Sequence, residues 1–415
     1  MRIAKMVGRA LGVEHTVVDR VRKDELGRGF VVEVRPYSKH QNRCPTCLVP
    51  CPKYDTGSGR RRWRGHDFGL AKVMLEANAG RVQCAEHGVL VAHTPWARPG
   101  SRFTRAFENQ AAWFATKTDK TTVSTVLSIA WRTVGDIVTR VCDEQRALRD
   151  PLDGVTRIGI DEVSYRKGHR YLTVVIDHDT GKLIWAAPGR SSATLNKFFR
   201  ALGKERRQAI QLVSADAANW IAKSVAKNCR NAKLCIDPFH VVAWATKALD
   251  KVRRTLWNKL RRQGEGERAN AMKGSRWALM KNPEDLSRTQ RQTLKTLEQD
   301  NHPLYVAYLL KEQLRAVFAE KGWQAAFTLQ QWIGMARASR LAPFKAVANS
   351  IENNLEGIQH ALMTGLSNGI TESSNNGLRL LTRIAYGFHS PEPLIALAML
   401  KRGGLCPKLP RLTHG

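Results

Sequence analysis

The chain is poor in acid. Its 415 residues carry 36 Asp and Glu against 67 Lys and Arg, a formal charge of +31. A molecule so unbalanced repels itself unless it meets a polyanion, so nucleic acid is the leading partner class. Long apolar runs are also missing. Nothing approaches the roughly 18 residues that a membrane span requires, and Leu394 to Leu400 is only the length of a core-helix segment. The opening MRIAKMVGRALGVEH has no apolar centre of the kind a secretory signal carries. Cysteine is sparse as well. The eight cysteines stand at 44, 47, 51, 84, 142, 229, 235 and 406, and only the first four form a pattern. That spacing argues against a disulfide framework and for a reducing, cytosolic interior. The totals describe a cytosolic protein that handles DNA or RNA.

What is present begins with a module over residues 1–100. His15 to Arg22 and Gly29 to Pro36 alternate as strands around a turn at Gly27. Cys44-Pro45-Thr46-Cys47 and Cys84-Ala85-Glu86-His87 then offer two half-sites, Cys-x2-Cys and Cys-x2-His. Four such ligands suit one tetrahedral structural zinc, and the strand-like stretches between them suit a zinc ribbon. Cys51 or His93 in place of one ligand is an open variant. Inside the module, glycines frame Arg60, Arg61, Arg62, Trp63 and Arg64. This run reads either as a flexible arm reaching a phosphate backbone or narrow minor groove, or as a solvated basic loop.

Residues 101–150 carry helical spacing in three pieces. Arg102 to Lys117 places Phe103, Phe107, Ala111 and Phe114 on one face, and Lys120 to Ile129 turns Val123, Val126 and Leu127 inward. A turn near Ala130 precedes Arg132 to Cys142. Two short helices and a tight turn fit a helix-turn-helix, with Arg132 and Thr133 at the recognition-helix start facing base edges.

The stretch 155–240 gathers the acids. Arg157 to Ile160, Tyr171 to Ile176 and Leu183 to Ala187 read as a three-stranded meander, with Asp161 at the first strand. A helix from Ser191, a strand ending at Asp216, a second helix, and a strand ending at Asp237 follow. That order is the order of a ribonuclease H-like sheet, in which the first and fourth strands are neighbours. Each acid has a plainer reading. Asp216 and Asp237 stand where helix N-caps stand, Asp237 directly before Pro238, and Glu372 falls in a first helical turn, where an acid complements the dipole. As a set they read differently. Two carboxylates about 4 Å apart repel by roughly 4 kcal/mol at an effective dielectric near 20, so a site that gathers three is expected to hold divalent metal.

Residues 241–365 are helical and basic. Ala245, Leu249, Val252, Leu256 and Leu260 form an apolar stripe, and Lys247, Lys251, Arg254 and Arg261 a basic one. The basic stripe suits either a DNA backbone or plain solvation. Of the tryptophans at 244, 257, 277, 323 and 332, most belong in a core and one is free to stack on a distorted base. Residues 366–405 open with a further helix that carries Glu372.

Taken in order, IGIDE at Asp161, HRYLTVVIDHDTGKLI, SADAA at Asp216, CIDPFHV at Asp237 and NGITESSNNGLRLLTRIAYGF around Glu372 resemble bacterial insertion-sequence transposases of the DDE type, the family named for the L-three element. The Cys44 to His87 ribbon and the helix-turn-helix stand where that family has them. The resemblance implies a ribonuclease H-like α/β catalytic core with an all-α insertion before the glutamate. It implies Asp161, Asp216 and Glu372 as a triad for two Mg²⁺ ions (Mn²⁺ as substitute), with Asp237 and His240 in support. It further implies cleavage and strand transfer of double-stranded DNA at terminal inverted repeats, a homodimer or higher homo-oligomer, and residence in the bacterial cytosol. The competing expectations are a non-enzymatic DNA-binding regulator and a nuclease without strand transfer.

Charge alone generates a test. With about ten phosphates neutralised, the logarithm of DNA affinity should fall against the logarithm of salt with a slope of about −9. Equilibrium binding across a salt series reads it, and a slope shallower than about −3 would mean that most basic faces do not meet DNA.

Overall fold

Alternating apolar and polar residues build the first strands. In the computed structural model, which describes residues 3–409 apart from 26, 28, 386, 387 and 389, β1 (Thr16–Lys23) follows α1 (Ile3–Ala10) and pairs antiparallel with β2 (Gly29–Pro36). Tyr386 and Gly387, which close the motif around Glu372, lie outside the described residues. Next come β3 (Lys53–Asp55), β4 (Arg60–Arg64), β5 (Lys72–Asn78), β6 (Arg81–Cys84) and β7 (Gly88–Val91). They form a four-stranded sheet ordered β1-β2-β5-β4 and a three-stranded sheet ordered β3-β6-β7. Val32, Val34, Trp63, Val73 and Leu75 fill the core of the larger sheet.

The arginine run is neither an arm nor a loop. It is β4, paired along its length with β5. Arg60 and Arg62, joined by Arg22, converge on Glu76, which is 5% exposed. Arg61 donates to the Ser101 carbonyl, and buried Arg64 forks onto Asp67. A buried carboxylate is costly unless paired and hydrogen-bonded, and three guanidinium groups meet that requirement here.

Three helices follow: α2 (Arg105–Lys117), α3 (Lys120–Leu127) and α4 (Trp131–Leu148). Thr104 caps α2 by accepting from the Phe107 amide, and Asp119 caps α3 by accepting from Thr121 and Thr122. Ser128 takes a left-handed conformation, φ 48°, and turns the chain between α3 and α4. Val123 and Leu127 face inward as expected, whereas Val126 is 64% exposed. Lys120 is buried with its ammonium 3.6 Å from the Trp131 ring centroid. Gly135 leaves it room, since a Cβ there would stand 2.9 Å from Lys120 Nζ.

The unit Pro151–Leu380 begins with β8 (Arg157–Arg166), β9 (Arg170–Asp177) and β10 (Leu183–Pro188). After α5 (Ser192–Leu202) and α6 (Lys204–Ala209) come β11 (Leu212–Ala215), α7 (Asn219–Asn228) and β12 (Lys233–Ile236). The sheet order is β10-β9-β8-β11-β12, antiparallel through the meander and parallel from β8 to β12. Ser191 caps α5 by accepting from Thr194. Leu195, Phe198 and Phe199 of α5, with Ile221 and Val225 of α7, pack on Ile158, Ile160, Val213 and Ala215.

From Pro238 to Thr364 the described secondary structure is helical but for one 3₁₀ turn: α8 (Pro238–Arg262), α9 (Gly266–Gly274), α10 (Arg276–Met280), α11 (Arg288–Asp300), α12 (His302–Val317), α13 (Gly322–Ala338), α14 (Ala342–Asn353) and α15 (Leu355–Thr364). α8 is the central member, burying Val241, Ala245, Leu249 and Val252, with Leu256 and Leu260 half-buried. Trp332 is fully buried and donates to the Leu310 carbonyl at 2.8 Å. Trp277 and Trp323 face solvent instead, 60% and 72% exposed.

The stretch 366–405, expected as one helix of the catalytic core, is two: α16 (Gly369–Ile384) and α17 (Pro391–Arg402). The second belongs to the unit made of Met1–Asp150 and Leu381–Gly415, where it packs on α2 and α4. Leu394, Leu397 and Leu400 are buried there, each worth about 1.5–3 kcal/mol of transfer free energy.

Candidate active site and structural metal centre

The parallel register lines up three aspartates. Ser214 of β11 stands opposite Gly159 of β8, and Ala215 opposite Ile236 of β12. Two residues beyond the first pair are Asp216 and Asp161, and one beyond the second are Asp216 and Asp237. Neighbouring strands lie about 4.8 Å apart, so the three carboxylates share one edge of the sheet. Their charges act on each other. Burial, then Asp216 and Asp237, push the Asp161 carboxyl above its ordinary value, against the Glu162 amide and His240. Burial also raises Asp237, to which Glu372 adds a further push.

The plainer capping readings fare unequally. Asp216 Oδ1 accepts the Ala218 amide at 3.2 Å, just ahead of α7. Asp237 occupies the N-cap position of α8, yet its side chain makes no capping hydrogen bond. It accepts instead from the Asn368 amide at 3.2 Å, and His240 Nε2 lies 4.0 Å from its Oδ2. Glu372 is exposed in the first turn of α16.

Several residues at this edge went unremarked in the sequence. Asn375 donates from Nδ2 to Asp161 Oδ2 at 2.5 Å. Glu162, next to Asp161, is pushed up to about 7 by burial and by Asp216, against Arg190. Beneath α16 runs a buried polar chain. His178 Nε2 pairs with Ser214 Oγ at 2.7 Å, Ser214 donates to Asn368 Oδ1, and Thr371 Oγ1 reaches the same oxygen at 3.4 Å. Gly159 makes this approach possible: a Cβ there would sit 2.3 Å from Thr371 Oγ1 and 3.0 Å from His178 Nε2. The run of Asn, Thr, Ser and Asn around Glu372 was the available signal, since buried amides and hydroxyls must find partners.

The second site lies in the N-terminal module. Ligand atoms of Cys44, Cys47, Cys84 and His87 all fall within 4.8 Å of one another, the one such group of three or more among the described residues. Zinc bonds of about 2.3 Å to sulfur and 2.0–2.1 Å to nitrogen imply tetrahedron edges of about 3.8 Å for S···S and 3.5 Å for S···N. The observed separations are 3.8 Å for Cys47 to Cys84, 3.7 Å for Cys44 to His87 and 3.5 Å for Cys84 to His87. The residues therefore fit a zinc ion. Neither open variant joins the group. The Cys51 thiol turns to the Val49 carbonyl at 3.3 Å, and His93 is not a member.

Comparison with known proteins agrees in all three regions. A transposase family profile matches residues 158–398. A profile for the helix-turn-helix domain of transposase family ISL3 matches residues 92–142, and one for the zinc-finger of transposase IS204/IS1001/IS1096/IS1165 matches residues 40–87. The chain belongs to the ISL3 family of transposases. Along 434 aligned positions it is 46% identical to the transposase for insertion sequence element IS1557 of Mycobacterium tuberculosis, covering 99% of this chain and 98% of that one. The transposase for insertion sequence element IS1001 of Bordetella parapertussis is 27% identical over 383 positions, 90% of this chain and 92% of that one. The ISL3 zinc-finger match spans all four clustered ligands, and the helix-turn-helix match contains Arg132 and Thr133. Arg132 is exposed at the start of α4 and Thr133 half-buried.

The Gly159 contact generates a test. Gly159→Ala should cost about 1–3 kcal/mol through overpacking against α16. Thr371→Ala removes the nearest atom, so the double variant should be more stable than the sum of the singles requires. Denaturant unfolding of the four proteins measures the cycle, and strict additivity would place the clash elsewhere.

Proposed function

We propose that this chain is a DNA transposase that binds the terminal inverted repeats of an insertion sequence, cleaves the element ends and joins them to target DNA. The observation that carries the reading is the row of Asp161, Asp216 and Asp237 across three parallel strands, with Glu372 on the helix laid over β8. It stands in a chain related along nearly its whole length to insertion-element transposases. The sheet order β10-β9-β8-β11-β12 supports a ribonuclease H-like core, and the helices α8 to α15 support an all-α insertion before Glu372.

Asp161, Asp216 and Glu372 are the residues that would hold Mg²⁺. The donor set suits that hard cation, and the orphaned buried atoms Asn368 Nδ2, Ser374 Oγ and Asn375 Oδ1 suit a hydrated ion nearby. When bound, two such ions activate an attacking oxygen and stabilise the leaving one at phosphorus. The chain's own part is to gather the carboxylates. The burial of Asp161 and the charge of Asp216 beside it favour a bound cation over bare carboxylates. Among the described residues the carboxylate oxygens of Asp161, Asp216 and Glu372 do not all fall within 4.8 Å of one another. Asp237, bonded to Asn368 and near His240, supports from the next strand.

Arg132 and Thr133 are assigned to base edges. Lys247, Lys251, Arg254 and Arg261, all exposed on α8, are assigned to the DNA backbone. Of the β4 arginines, Arg60, Arg61 and Arg62 keep exposed or half-exposed side chains, whereas Arg64 is committed to Asp67. Two element ends call for a homodimer or larger homo-oligomer. No helix among the described residues is long and apolar enough to cross a membrane, and a cytosolic, nucleoid-associated protein is the reading proposed.

Two outcomes are expected. Purified protein should carry about one zinc, and Cys44→Ser should unfold the N-terminal module while leaving the second unit folded; metal analysis that finds no zinc sinks this. Asp161→Asn, Asp216→Asn and Glu372→Gln should fold and bind end DNA but lose nicking by several orders of magnitude, with Asp237→Asn less affected. Asparagine can still accept the Ala218 amide that Asp216 accepts ahead of α7, whose N-cap position is Ala218 itself, so near-normal nicking by Asp216→Asn would leave that turn as its whole role. DNA binding without metal-dependent cleavage by the unaltered chain would favour a regulator, and cleavage without joined 3′-ends a nuclease.

A further inference from the structure

Asp161 is held by two donors, one on each oxygen. The Glu162 amide donates to Oδ1 at 2.7 Å and Asn375 Nδ2 to Oδ2 at 2.5 Å. A carboxylate oxygen has room for two partners, so each keeps one direction free. The first donor is the next residue of the same strand and comes with β8 itself. The second comes from α16, more than two hundred residues later in the chain. Asn375 is 1% exposed, and a buried hydrogen bond to an ionised acceptor is stronger than a neutral one.

The same helix carries Glu372, one turn earlier on the same side, since residues three apart are neighbours on a helix surface. The start of α16 is fixed to the sheet at three further points. Asn368 binds Ser214 of β11, its amide binds Asp237 after β12, and Thr371 lies over Gly159 of β8. A rigid helix so anchored sets two things together: where Glu372 stands, and which way the Asp161 carboxylate turns.

We propose that Asn375 is a positioning residue for Asp161, fixing that carboxylate's orientation toward Glu372 from the helix that bears Glu372. The inference rests on the reading of Asp161 as a metal ligand. A packing role for Asn375 makes a different forecast. If the residue only fills space, the isosteric Asn375→Asp is the milder change and Asn375→Ala the harsher. If it donates to Asp161, the aspartate replaces a donor by a like charge facing another, and becomes the harsher in metal-free protein.

The test uses the full-length chain with Mn²⁺ as probe. Metal-free melting at neutral pH should rank wild type above Asn375→Ala and Asn375→Ala above Asn375→Asp. Mn²⁺ binding without DNA, followed calorimetrically, should weaken about 10–100-fold in Asn375→Ala. The Mn²⁺ concentration for half-maximal nicking should rise in step, while affinity for end DNA stays at the wild-type value. Ser373→Ala, at the exposed neighbour, should match wild type throughout. Asn375→Ser carries the same readouts if the alanine variant does not fold. Wild-type Mn²⁺ binding by Asn375→Ala, or Asn375→Asp melting above it, overturns the proposal. If Asp161→Asn is inactive while Asn375→Ala behaves as wild type, the positioning role alone fails. If Asp161→Asn nicks normally, the metal-site reading fails and takes this inference with it.

Discussion

Carboxylates that converge at the end of a sheet must be held there against their own repulsion and loss of water. That constraint organises the unit Pro151–Leu380. Parallel pairing of β8, β11 and β12 brings Asp161, Asp216 and Asp237 level, and burial raises the first and last of them, with Asp216 and Asp237 adding to it at Asp161 and Glu372 at Asp237. Donors then have to arrive from outside the sheet, because each strand end supplies few of its own. α16 delivers them from Asn375 and from the Asn368 amide. It can come that near because Gly159 has no side chain and because Ser214, His178 and Thr371 share one buried hydrogen-bonded line.

Much of this was legible in the sequence, for reasons that differ by element. The meander could be read because β-branched runs end in turn residues, and Asp216 and Asp237 because each closes a short apolar strand ahead of a helix. The cluster of Cys44, Cys47, Cys84 and His87 was legible from spacing alone, since CxxC and CxxH each hold two candidate ligands on a tight turn. The donors were not. Asn375 and Asn368 are unremarkable in a polar helix start, and only tertiary placement distinguishes a buried amide that meets Asp161 from one that meets water. The extension of β8 past Asp161 to Arg166 also escaped the pattern, because its outer half alternates weakly and pairs through β9.

The arginine run of β4 shows where local charge misleads. Four arginines in five residues suggest a free arm, yet Glu76, Asp67 and the Ser101 carbonyl engage them all. The acids that do so are scattered in sequence, on a partner strand and in a following turn, so composition over a short window could not reveal them. Lys247, Lys251 and Arg261 on α8, by contrast, remain exposed, and it is to such residues that the DNA backbone is assigned. The tryptophans divide similarly: Trp332 closes a core, while Trp277 and Trp323 sit outside it.

The placement of α17 bears on how the protein is made. Chain synthesis delivers the zinc module and the three following helices early, and α17 only after the sheet and the long helical stretch. Since α17 packs on α2 and α4, the apolar surface it covers stays open until translation has passed Arg402. Domains fold as their last segments emerge from the ribosome. The unit that carries the helix-turn-helix therefore reaches its finished form only after the residues assigned to cutting DNA already exist, and an interrupted chain cannot present that unit fully packed without them.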